Sequence, residues 1–176
     1  MKVLVATALI LVGSCSNLRH SEKIDNLKKS ISYGDEALVK HYLNTINTEE
    51  LKVHLEEISS DKYNGRMTGE VGHNQVCDYI RNYYISRSIK APESHPNYYQ
   101  IVPKEYLPDD LNDSQNIIAY IEGSEFPDEY LYISAHSDHE GVIDGEIYNG
   151  ADDNGSGTAA VLEMAEAFSK AVKDGY

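Results

Sequence analysis

The stretch AHSDHEGVIDGEIYNGADDNGSGTAAVLEMA, Ala135 to Ala165, sets five glycines among His136, Asp138, His139, Asp152, Asp153 and Asn154. It joins an apolar run that reads as a strand, EYLYISAH (Glu129 to His136), to a run of helical spacing from Gly157 to Val172. A strand ending in His-x-Asp delivers both side chains to the crevice beyond its carboxyl end, where open α/β sheets bind their ligands. Asp138 can accept a hydrogen bond from the imidazole N–H that does not face a metal, which fixes the tautomer and raises ligand basicity. Asp152 stands just before a Gly-rich turn into the helix, and a carboxylate has two oxygens with which to bridge two cations. His-x-Asp alone also reads as a solvated histidine and a loop aspartate. GADDNGSG alone reads as an Asx-rich turn and helix cap. One at a strand end and the other at a helix start, the two together point to a metal site.

The flanking chain fits a mixed fold. Asp35 to Leu43 has helical spacing through Leu38, Val39 and Tyr42. Thr48 can cap a second helix whose stripe is Leu51, Leu55 and Ile58. Ser59 to Gly72 is a Gly-containing loop, and His73 to Ile85 is helical again through Val76, Tyr79, Ile80 and Tyr83. Tyr98 to Pro103 and Asn116 to Gly123 read as strands, the latter linked to Glu129–His136 by a hairpin-like SEFPD connection. In the last helix Ala160, Val161, Met164, Ala165, Phe168 and Val172 form the inward face. Helices, then strands, then a strand–loop–helix unit define an α/β fold.

The formal charge of −14 argues against nucleic-acid binding, which needs Lys and Arg to meet phosphates. The N-terminus has a basic start, the apolar run Val3–Val12, and Gly13-Ser14-Cys15. This is a secretory signal, too short to span a bilayer as a mature helix. Its V-G-S-C ending resembles a bacterial lipoprotein signal in which Cys15 is lipidated; an ordinary signal cleaved after Ser14 is the alternative. The expected organisation is a signal over 1–15, a tether over 16–34 and a folded domain over 35–176. The protein would then sit at the bacterial cell envelope, lipid-anchored to a membrane surface or secreted. Cys77, the only other cysteine, reads as a small core residue.

AHSDHEG followed by YNGADDNGSGTAAVLEMA resembles the first two metal motifs of the di-zinc aminopeptidase family, the zinc exopeptidases of leucyl aminopeptidase and glutamate carboxypeptidase type. LEEISSDKYNGRMTGEVGHNQVCDYI, Leu55 to Ile80, resembles that family's lead-in, so the resemblance runs from Thr48 to Phe168. It implies a zinc-exopeptidase-like sheet flanked by helices, of which 35–176 would be the N-terminal part, incomplete at its C-terminal side. Carried over by position, His136 would be a terminal ligand of one zinc and Asp152 would bridge two zincs. Asp138 would be the catalytic residue that orients His136 without binding metal. Relatives often have a cis peptide after the bridging aspartate, here between Asp152 and Asp153. His139 has no ligand role in the motif, the role of Glu140 is open, and Arg66 reads as a structural loop contact.

The implied activity is zinc-dependent hydrolysis of peptide bonds on a peptide or protein substrate, with two zincs polarising the scissile carbonyl and a neighbouring Glu moving the proton. The family's later Glu-Glu pair, acidic ligand and distal histidine have no match before Tyr176. The chain alone is therefore expected to bind metal weakly and to be inactive. Two alternatives stand beside the peptidase. One is a non-catalytic surface lipoprotein that keeps the fold. The other is a calcium-binding module, because Asp152, Asn154, Ser156, Gly157 and Glu163 fit EF-hand loop positions.

Overall fold

The computed structural model describes residues 19–30, 32, 34–126 and 128–176. The signal reading and Cys15 lie outside the described residues. The chain divides into two units, 1–36 and 37–176. In the first, α1 (His20–Ser30) occupies the expected tether, and none of its residues is buried. Among the described residues no helix is long and apolar enough to cross a membrane.

The second unit opens with the body of α2 (Glu36–Leu43) and continues with α3 (Thr48–Ile58). The cap of α3 is Asn47, one residue before the expected Thr48: its side chain accepts from the Glu50 N–H at 2.9 Å. Asparagine is as good a cap as threonine or better, and capping at Asn47 leaves Glu49 and Glu50 in the first turn, near the positive end of the helix dipole. A 3-10 turn over Asp61–Arg66 leads into α4 (Val71–Ser86). α4 buries Val76, Cys77, Ile80, Tyr83 and Tyr84, a set spaced by threes and fours. The last helix, α5, spans Ser156–Lys173. Ile58, Val76 and Leu162, each 0 % exposed, knit α3, α4 and α5 into one core with Tyr63, Ile80, Tyr83, Tyr84 and Ile89.

The inward face of α5 differs from its apolar stripe. Thr158, Ala159, Leu162, Glu163 and Ala167 are buried, while Phe168 and Val172 are exposed. The helix is turned so that Leu162 joins the core and the Glu163 carboxylate meets His54 of α3. A partnered polar group overrides the apolar stripe.

The strands depart further from expectation. β1 (Tyr99–Val102) pairs antiparallel with β2 (Ser114–Ile117), and β3 (Gly141–Ile143) pairs antiparallel with β4 (Glu146–Tyr148). This mixture is compatible with α/β, but the described residues form two small antiparallel sheets in place of the expected flanked sheet. The expected strand over Glu129–His136 is not one: it has no ladder partner, and Leu131 and Tyr132 are 79 % and 85 % exposed. The run Tyr130-Leu131-Tyr132-Ile133 is apolar on both faces, the pattern of a strand covered on both sides. No such cover exists among the described residues. The β3–β4 hairpin was not expected, although its Asp144-Gly145 turn, at φ 52° and 84°, uses the residues a two-residue hairpin loop favours.

Candidate metal centre

The loop before β3 and the turn before α5 are brought together by the 3-10 segment. Asn64, Gly65 and Arg66 are three successive residues with positive φ, at 48°, 67° and 55°. At Gly65 the left-handed conformation and the space both demand glycine: a Cβ would stand 2.3 Å from the Gly141 carbonyl oxygen. Arg66 is 0 % exposed. Its guanidinium donates to the carbonyls of Ile58 (2.8 Å), Ser137 (2.8 Å), Asn149 (2.6 Å) and Gly150 (3.0 Å). Its own carbonyl accepts from the His139 N–H at 3.0 Å, and Met67 pairs with His139 in an isolated parallel bridge. This bears out the reading of Arg66 as a structural contact.

The junction lines an open cleft of about 420 Å³ whose walls include Thr68, Leu111, His136, Asp138, Glu140 and Asp153. His136 and Asp138 meet there as expected. The imidazole Nδ1 lies 3.1 Å from the Asp138 carbonyl oxygen and 3.2 Å from its Oδ1. The Thr68 hydroxyl donates to Asp138 Oδ2, and the Thr158 hydroxyl donates to the His136 carbonyl at 3.0 Å. The other ring nitrogen, Nε2, is left for the cleft.

The carboxylate that meets Nε2 belongs to Asp153, at 2.9 Å, and not to Asp152. Asp152 does not line the cleft; its carbonyl accepts from the Ser156 hydroxyl at 3.1 Å. The chain turns at Gly150, whose φ is 51°, and Asp153 then takes an extended conformation, φ −119° and ψ 92°, followed by Asn154, which is also outside the helical region at φ −130° and ψ 42°. That kink swings its side chain, rather than its neighbour's, toward His136. The cis peptide likewise falls between Asp153 and Asn154, not between Asp152 and Asp153.

Burial pulls the His136 pKa down, but the Asp138 carbonyl and carboxylate together with Asp153 outweigh it and raise the pKa above 6.5. Asp138 also pays for burial, yet the Thr68 hydroxyl, His73 and His136 hold it below the ordinary aspartate value. Cys77 is buried, and its thiol is pushed up to about 11, which makes it a poor nucleophile and agrees with a core role.

A second acidic group lies in the seam between α3 and α5. Ligand oxygens of Glu50, Glu163 and Glu166 lie within 4.8 Å of one another. These groups already have protein partners. His54 Nε2 is 3.3 Å from Glu163, Tyr83 Oη donates to Glu166 at 2.6 Å, and Arg87 and Lys170 pair with Glu166. Against the cost of burial, Lys170, Tyr83 and Arg87 hold Glu166 down at about 2. The calcium loop read from 152–163 is not formed, because α5 begins at Ser156 and Glu163 faces His54. Helix formation within the supposed loop takes its last ligand away from its first.

An imidazole held by one carboxylate and facing another in an open cleft is a donor set of the kinds zinc takes. Residues 116–174 match the model of the family described as Peptidase family M28, the di-zinc aminopeptidases and carboxypeptidases. The match takes in His136, Asp138, Asp153 and α5, and it begins beyond the 3-10 segment and α4. No curated protein and no solved structure matches the chain.

Proposed function

We propose that the protein is a zinc-dependent peptidase of exopeptidase type, in which His136 and Asp153 hold zinc and Asp138 orients His136. The observation that carries this reading is the 2.9 Å approach of His136 Nε2 to Asp153 Oδ1, with Nδ1 engaged by Asp138. Donors at ordinary distances on a tetrahedral zinc lie about 3.3 Å apart, so the observed 2.9 Å need open by only a few tenths of an ångström. The donor types also fit, since a neutral imidazole and a carboxylate are ordinary zinc ligands. The assignment moves the carboxylate ligand expected from sequence by one residue, from Asp152 to Asp153.

Bound zinc supplies Lewis acidity toward a scissile carbonyl and activates water at neutral pH. The protein's own residues prepare the place for it. Asp138 accepts a hydrogen bond from the Nδ1–H, so the Nε2 lone pair faces the cleft, and the Thr68 hydroxyl donates to Asp138. Thr158 anchors the His136 backbone from the first turn of α5. The substrate in this reading is a peptide presented with its free end in the cleft. Lipid on Cys15 would hold the domain against a membrane surface at the cell envelope, with peptides reaching it from the outside.

Among the described residues the site has two donors, fewer than the three protein ligands of a catalytic zinc. A second reading is a non-catalytic surface lipoprotein that keeps the metal pair. Zinc titration against a competing chelator tests the pair. His136→Ala and Asp153→Asn are expected to lose affinity at least about 10-fold, and Asp152→Asn to keep it. Loss in Asp152→Asn with none in Asp153→Asn would return the ligand role to Asp152. Turnover of aminoacyl-nitroanilides by the zinc-loaded chain would overturn the non-catalytic reading.

A further inference from the structure

We infer that Arg66 is the positioning residue of the metal pair, a clamp that fixes the distance between its two halves; this rests on the reading of His136 and Asp153 as zinc donors. The two halves come from separate pieces of backbone, and Arg66 is hydrogen-bonded to both. The Ser137 carbonyl lies between His136 and Asp138. The Asn149 and Gly150 carbonyls lie at the turn that aims Asp153. The guanidinium donates to all three, at 2.8, 2.6 and 3.0 Å, and reaches back to Ile58 at the end of α3 at 2.8 Å.

The backbone carries a cost for this arrangement. A non-glycine residue at φ 55° is strained, and it follows Asn64 and Gly65 in the same left-handed region. A fully buried guanidinium also loses its hydration, which lowers its pKa, and it spends its donors on carbonyls. An ordinary loop has no need of either cost. Only a planar fork with donors on three nitrogens can hold carbonyls that lie in different directions; an ammonium is a point donor and cannot span them. Geometry, rather than charge, is therefore what Arg66 supplies.

The test compares Arg66→Lys and Arg66→Gln with Leu162→Ala, a core change in α5 made as a stability control. Zinc alone is titrated into each folded protein against a chelator. Arg66→Lys is expected to lose zinc affinity about 10-fold or more, as supporting residues around metal ligands do, while Leu162→Ala keeps it. In metal-free protein, amide exchange of His139, bonded to the Arg66 carbonyl, and of Gly155, bonded to the Gly150 carbonyl, reads the clamp directly. Both amides should exchange about 10-fold faster in Arg66→Lys than the global stability loss explains. Unchanged zinc affinity and exchange in Arg66→Lys overturns the inference, as does an equal change in Leu162→Ala. If neither Arg66 variant unfolds cooperatively, Arg66 is a folding residue and the assignment falls. If the unaltered chain takes up no zinc, the metal reading fails by itself, and the exchange data alone judge the clamp.

Discussion

Two of the imidazole–carboxylate pairs among the described residues stand at similar separations in opposite surroundings. His54 and Glu163 lie 3.3 Å apart in the seam of α3 and α5, with side chains 8 % and 2 % exposed. His136 and Asp153 lie 2.9 Å apart at the cleft, with side chains 51 % and 71 % exposed. In the seam, burial lowers the His54 pKa and raises that of Glu163, where Glu50 and Glu166 add to the effect. Both shifts favour the uncharged form of each group. His54 Nδ1 lies 2.6 Å from Tyr79 Oη. At the cleft the cost of burial is smaller, Asp138 and Asp153 together outweigh it, and the His136 pKa rises. The same two groups make a structural hydrogen bond where water is absent. At the solvent-exposed cleft they are, in the proposed reading, the two donors that would hold zinc.

The sharpest way to break this comparison is by stability. Glu163→Ala leaves the buried His54 nitrogen without its partner and should cost about 2–3 kcal/mol in urea unfolding. His136→Ala, in metal-free protein, should cost less than about 0.5 kcal/mol. Equal costs would show that the two pairs do the same work.

Next in size is the response of zinc binding to pH. Protons compete for His136 Nε2, so zinc affinity should fall as pH drops through a His136 pKa that lies above 6.5. Glu163→Gln should leave that fall unchanged. A pH-independent affinity between pH 5 and about 8 would remove His136 from the ligand set.

A smaller effect, and a direct one, is the titration of the two imidazoles followed by NMR. His54 should titrate below 6.5 and His136 above it. Midpoints on the same side would end the contrast.

The smallest effect is on the pH dependence of stability. The folded-state pKa of Glu163 is raised above 4.5. Its contribution is therefore complete below 4.5 and is lost as pH rises through the folded value. His54 acts in the other sense: its contribution is present above 6.5 and is lost as pH falls through its lowered folded value. Glu163→Gln, which keeps a neutral side chain at every pH, should flatten the loss on the alkaline side and leave the acid side in place. An unchanged alkaline slope would mean that Glu163 is ionised in the fold.

The helical part of this structure was legible because its signals are local. Val76, Ile80 and Tyr83 repeat at the period of α4, and α5 starts within one residue of its expected position. His136 and Asp138 were legible for the same reason, since two residues separated by one share a turn. The choice between Asp152 and Asp153 was not legible. It depends on backbone angles after Gly150, and adjacent aspartates in a Gly-rich turn carry no periodicity that tells them apart. The seam was hidden by its chemistry: Glu163 is charged in isolation and turns inward only because His54, far away in the chain, meets it. Arg66 was legible as a structural contact, but its four carbonyl partners cannot be seen in an arginine's own neighbourhood. The run at Tyr130–Ile133 was misread because a strand's pattern says what the segment could pair with, not that a partner is present.

That run has a practical consequence. Tyr130, Leu131, Tyr132 and Ile133 offer solvent a proline-free, β-prone segment with no ladder partner among the described residues, a template on which other chains can stack into intermolecular sheet. A net charge of −14 keeps such chains apart at low ionic strength. Concentrated salt or mild acid removes that repulsion, so preparations of this protein will stay clear in dilute neutral buffer and turn cloudy first where the charge is screened.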